Sequence, residues 1–228
     1  MLDLQKRDYD ILQCCYEQKF LLLGHVERFF FTGCATQNAR QRVLELEKSG
    51  LLRIQTSPVF GRKKILRLTQ DGKGLSLSQT DHKLPYLKTL DTKTLSHDAF
   101  VTTVRLRLSE LWDGIWIPEL ALKGHEYADI PDGVFLFNSG KKVLVEIENS
   151  LKGKSRYREL FLKLEKLKIF FCLYVATEDY VFNSLKRLIE VYPKNIPLGL
   201  ISLKHLETKS PIVFTKKGDV NLFSRRSF

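Results

Sequence analysis

At 228 residues the chain has room for one large domain or two small ones, and its 43% hydrophobic content is ordinary for a protein that folds around real cores. No 18-residue uncharged apolar run exists and the opening MLDLQKRDYD lacks the apolar segment and cleavage signal of a secretory leader, so a cytoplasmic protein with no membrane partner is expected. The formal net charge of +11 is the electrostatic footprint of a protein that meets a polyanion.

The four cysteines, Cys14, Cys15, Cys34 and Cys172, form no CxxC pair, so buried thiols in a reducing compartment are expected rather than a zinc site. In chain order, residues 8–18 place Ile11, Leu12 and Cys15 at helical spacing, and LLLGHVERFFF gives a short second helix from about Gly24. TGCATQNARQRVLELEKSGLL gives a third. Thr36 is its expected N-cap, Ala39, Val43 and Leu46 its buried stripe, and Ser49-Gly50 its stop.

Thr36, Gln37, Asn38, Arg40, Gln41 and Arg42 crowd the first turns of that helix. Amide and guanidinium groups there are able to hydrogen-bond base edges in the major groove. LLRIQ and KKILRLT then alternate or run apolar like two strands, joined by TSPVFGRKK, whose Arg62, Lys63 and Lys64 suit a phosphate backbone. Three helices, a basic hairpin and a closing LTQDGKGL resemble a winged helix-turn-helix domain. This sets domain bounds of 1–78, with a polar linker over 79–93 that carries Pro85.

The second domain, 94–228, opens with a helix whose stripe is His97, Val101, Val104, Leu108 and Leu111. That spacing puts His97 on the core-facing side, with Asp98 beside it free to hold a cation or to favour the positive end of the helix. Three strand-like segments follow, GIWIPELAL, ADIPDGVFLF and KKVLVEIE, then a helix from about Ser155 to Phe171, a strand CLYVAT, a helix DYVFNSLKRLIEVY and a last strand PLGLISL. The whole is an α+β protein of two domains, the second an α/β unit with a mixed sheet. The tail KKGDVNLFSRRSF is left undecided between disorder and wrapping a partner.

A three-residue loop over Ser139–Lys141 sets Asp132 opposite Glu148, with Glu146 on the same face; a two-residue loop puts Asp132 on the other face. Three converging carboxylates raise one another's pKa or demand a cation. Mg²⁺ is one answer. Lys152, Lys154 and Arg156 are another, and the longer positive run that continues through Arg158, Lys163, Lys166 and Lys168 suits either phosphate or a solvated helix face.

The order of elements and the PD then ExE placement resemble the PD-(D/E)xK nuclease superfamily. That resemblance makes Asp132 and Glu146 metal ligands for Mg²⁺ or Mn²⁺ and puts Glu148 where a lysine belongs, so Lys152 or Lys154 would have to supply the missing charge. Over residues 5–175 the segments LRLTQDGKGL, LSHDAFVTTVRLRL, IPDGVF and VEIENSLKGKSRYRELF resemble the replication-relaxation family, which includes MobC-like mobilisation proteins.

This second resemblance implies a sequence-specific duplex-DNA-binding protein of a bacterial plasmid or mobile element, acting in replication, mobilisation or transcription control. Its nuclease-like domain would be degenerate, keeping its fold as a DNA-binding or protein-binding module, with no cofactor required for DNA binding and Lys154 and Arg156 adding to the DNA contacts. Two alternatives stand beside it, a metal-dependent endonuclease using Asp132, Glu146, Glu148, Lys152 and Lys154, and an adaptor that recruits a relaxase, replicase or transposase. Homodimerisation is left open.

Overall fold

In this computed structural model the described residues are 2–77, 84, 85, 87, 89–123, 129–167, 170–192 and 196–222. The chain forms two compact units, Met1–Thr103 and Val104–Phe228. The first contains α1 (Lys6–Glu17), β1 (Leu21–Leu22), α2 (Leu23–His25) running on into a π-helical turn (Val26–Phe30), α3 (Thr36–Lys48), β2 (Leu52–Ser57), a 3₁₀ turn (Pro58–Phe60), β3 (Lys63–Leu68) and α4 (Gln70–Leu77). Its antiparallel sheet has the order β1-β3-β2.

The apolar stripes of α1 and α3 go where their spacing sends them: Ile11, Leu12, Cys15, Ala39, Val43 and Leu46 are all buried. The Cys15 thiol donates to the Leu66 carbonyl at 3.2 Å, so it is a core group of the kind expected, and burial pushes its pKa up. Helix α3 ends as Ser49-Gly50 requires, with Gly50 at φ 77° and Leu51 N–H donating to Leu46 O at 3.0 Å. Its start differs from expectation. Ala35 is the N-cap, with extended backbone and no side-chain cap bond, and Thr36 is the first helical residue.

Helix α5 (Leu95–Leu111) contains the division between the units. Its first turns belong with the N-terminal unit because Leu95 and Ala99 pack on Phe20 and Ile65. Asp98, rather than His97, is the buried member of the pair, and the cation it holds is Lys19 at 2.8 Å. The expected linker over 79–93 lies partly outside the described residues, as do Lys168 and the last six residues of the tail.

The second unit is built on one mixed seven-stranded sheet: β4 (Gly114–Pro118), β5 (Gly133–Phe137), β6 (Lys142–Glu148), β7 (Phe171–Ala176), β8 (Leu198–Ser202), β9 (Ile212–Thr215) and β10 (Val220–Asn221), in that spatial order. Strands β6, β7 and β8 are parallel and the flanking pairs antiparallel. Between them run α6 (Glu119–Leu122), α7 (Lys154–Lys166), α8 (Asp179–Val191) and α9 (Leu203–Leu206). The protein is thus α+β with a large mixed sheet, and none of its described helices is long and apolar enough to cross a membrane.

One face of the sheet, through Leu144, Tyr174 and Leu200, packs on Tyr157 and Phe161 of α7 and Leu185 and Ile189 of α8. On β6 the alternation puts Leu144, Glu146 and Glu148 on that face and Val143, Val145 and Ile147 on the other. Three expectations are corrected. Strand β4 stops at Pro118, after which ELAL is a helical turn; α7 ends at Lys166; and β8 is followed by β9 and β10. Burial of Val213 and Leu222 anchors this added pair, with Trp112 Nε1–H donating to Leu222 O at 3.3 Å.

Candidate nucleic-acid interface and acidic cluster

In the N-terminal unit, β1, α2, the start of α3 and the β2–β3 hairpin enclose an open groove of about 560 Å³. Leu22 and Leu23 form part of its lining, and Arg40, Arg62, Lys63 and Lys64 supply four cations. Glu27 is the single acid of the lining, bound to Arg40. The hairpin tip gets its shape from two consecutive left-handed residues, Gly61 at φ 59° and Arg62 at φ 65°. Glycine takes this conformation freely, whereas arginine does so at a cost of roughly 1–2 kcal/mol. Ser57 O accepts from Arg62 N–H at 2.9 Å and holds the turn.

Thr36, Gln37, Asn38, Arg40 and Gln41 are exposed on the first turns of α3, as a reading helix requires. Arg42 does not join them. Its Nε and Nη2 donate to the two carboxylate oxygens of fully buried Asp8 at 3.0 and 2.6 Å, Nη1 to Glu45 at 2.8 Å, and Nη2 also to Asp3 O at 2.6 Å. With every nitrogen of the fork engaged and 14% of the side chain exposed, Arg42 fastens α3 to α1 and is removed from the expected base-contact set.

In the second unit the β5–β6 loop has the expected length but sits one residue earlier, over Asn138–Gly140, with Gly140 at φ 82°. Moving both ends by one shifts the register by two. Gly133 pairs with Val145, so Asp132 is level with Glu146 rather than Glu148, and because the side-chain period is two all three carboxylates keep one face. They do not form a cage. Asp132 Oδ2 accepts from Ile147 N–H at 2.7 Å, and buried Glu148 bonds to Lys152 Nζ and to the Tyr157 hydroxyl. Among the described residues no group of three or more His, Cys, Asp or Glu side chains is placed to hold a metal ion.

Burial, with the Asp132 charge next, holds the Glu146 carboxyl well above the usual carboxylate range. Burial also raises Glu148, with Lys152 opposing it. Of the two candidate lysines it is Lys152 that folds back; Lys154 is exposed at the start of α7. Arg156 is tied to Asp129 at 2.7 Å, and Lys163 bonds the same carboxylate at 2.5 Å, which holds the Asp129 pKa down. Lys152 is also the cation that opposes the upward shift at Glu146.

Sequence reasoning passed over Tyr157, Asp129 and Glu27. Tyr157 accepts from Lys152 N–H at 3.2 Å and donates to Glu148, yet its only sequence signal is its place on the buried stripe of α7 with Phe161. Asp129 and Glu27 carry no signal at all, because the partners of Asp129 are 27 and 34 residues away and that of Glu27 is 13 away. No family model matches the chain, and no curated protein matches it significantly.

Proposed function

We propose that the chain is a sequence-specific duplex-DNA-binding protein whose N-terminal unit works as a winged helix-turn-helix. In this reading α3 enters the major groove and presents Gln37, Asn38, Arg40 and Gln41 to base edges, while the β2–β3 hairpin lays Arg62, Lys63 and Lys64 along the phosphates. The observation that carries it is the groove: four cations from two separate elements line one concavity beside the exposed polar turns of α3. Simple solvation of a surface does not call for an arginine in a left-handed turn.

The biological setting we take from the sequence resemblance is a plasmid or mobile element, with action at an origin or at the element's own promoters. Selection from a randomised duplex pool tests the reading. An enriched motif is expected, and its loss with Gln37→Ala/Asn38→Ala; a pool that returns no motif sinks sequence-specific binding.

A second reading for the C-terminal unit, a PD-(D/E)xK-like endonuclease using Mg²⁺ or Mn²⁺, is favoured by one observation. Glu146 is half-buried and level with Asp132, its carboxyl held well above the usual range, and a cation relieves such a pair better than water does. Nicking that needs metal and disappears in Asp132→Ala supports it; no nicking of any duplex or single strand with either metal removes it.

A further inference from the structure

Arg40 and Arg42 stand two residues apart on α3, but their guanidinium groups are held in opposite ways. All of the Arg42 fork is spent on Asp8, Glu45 and Asp3. Arg40 is bound at one atom. Its Nε–H donates to Glu27 Oε1 at 2.7 Å, and among the described residues this is the one hydrogen bond or ion pair of the side chain. The arginine side chain is 55% exposed, whereas that of Glu27 is 20% exposed.

A guanidinium is planar, so a tether on the Nε side leaves the Nη1–Nη2 edge as a ready pair of parallel donors. Glu27 is itself a fixed post. It sits in the π-helical turn next to Val26, which is fully buried, and to His25. Leu22 N–H donates to His25 Nδ1 at 3.2 Å, which makes Nε2 the protonated nitrogen that donates to Thr103 Oγ1 at 3.1 Å. Burial, with the Arg28 charge next, holds His25 down to about pKa 4, so the ring is neutral at physiological pH and keeps both of these hydrogen bonds.

We propose that Glu27 is a positioning residue for base recognition: by holding Arg40 at Nε it presents Nη1 and Nη2 as a bidentate edge to the paired acceptors O6 and N7 of a guanine in the major groove. This rests on the duplex-DNA reading above. Ordering the arginine before contact removes rotamer entropy that binding would otherwise have to overcome, and it aims the fork at one base rather than at any nearby phosphate. The carboxylate also repels phosphate, so Arg40 is a poor non-specific clamp and a selective reader.

The test uses the full chain and the motif enriched from the randomised pool, with each position replaced in turn. Arg40→Ala is expected to lose about tenfold discrimination at one guanine and little elsewhere. Glu27→Ala is expected to lose discrimination at that same guanine while its affinity for random duplex is unchanged or higher. Glu27→Gln keeps an acceptor for Nε–H and is expected to restore the preference to within about threefold of the parent.

The double variant Glu27→Ala/Arg40→Ala is expected to be no less selective than Arg40→Ala. A Glu27→Ala protein with full guanine preference overturns the inference, as does one that weakens on all duplexes equally. An Arg40→Ala protein with an unchanged motif overturns it too, yet leaves DNA binding standing. A parent chain that enriches no motif removes the underlying reading and the inference with it.

Discussion

Single residues show where the fold accepts a local penalty. Arg62 lies at φ 65° with its side chain exposed at the hairpin tip, where glycine would rest without strain. Arg62→Gly is therefore expected to leave the unfolding free energy unchanged or raise it by up to about 1 kcal/mol, the relief of strain being partly offset by the freer unfolded chain. Its duplex affinity is expected to fall several-fold, a divergence that urea titration and DNA titration together reveal.

Glu146 is a second such residue. Because its pKa in the fold is raised above the unfolded value, its contribution to stability is full below about pH 4.5 and is lost as pH rises through the raised value. Glu146→Gln is thus expected to match the parent in melting temperature near pH 4 and to exceed it at pH 8; a constant difference across that range contradicts the assignment. The face shared by Asp132 and Glu146 was legible in the sequence because a register error of two keeps every side chain on its face. The fate of Arg42 was not, since Asp8 lies 34 residues away.

At the scale of elements, two contacts decide how helices and strands are set. The Arg42–Asp8 pair joins α3 to α1, and Asp8 is also the N3 carboxylate that accepts from Gln5 N–H at 2.7 Å at the start of α1. Arg42→Ala leaves a fully buried carboxylate without its partner and is expected to cost about 3 kcal/mol in urea unfolding. A loss of DNA affinity in that variant without a loss of stability would return Arg42 to the interface.

Gly133 begins β5 directly beneath the Trp116 ring, and a Cβ there would stand 1.9 Å from Trp116 Cζ2. Gly133→Ala forces the indole to move and is expected to cost about 2 kcal/mol in the second unit. Periodicity alone revealed α3 and α8, whose buried stripes are clean, whereas β6 was legible as an apolar run buried on both faces. It did not reveal α6, which is a single turn, or the pairing of β9 and β10, whose four and two residues are too short for a period to show.

For the molecule as a whole, the net charge of +11 sets a long-range attraction for polyanions but does not say where they bind. Lys163 and Arg156 in the second unit are paired with Asp129, and Arg42 in the first with Asp8, so a good part of the positive charge is spent within the fold. Arg40, Arg62, Lys63 and Lys64 instead share the groove with one acid, Glu27. The most direct test is the slope of log affinity against log salt for a short duplex, measured on the parent and on Arg62→Ala/Lys63→Ala/Lys64→Ala. Each phosphate contact contributes about 0.9 to that slope, so a fall of roughly 2–3 is expected in the triple variant with its melting temperature preserved. A triple variant with the parent's slope and affinity would contradict DNA binding through this groove.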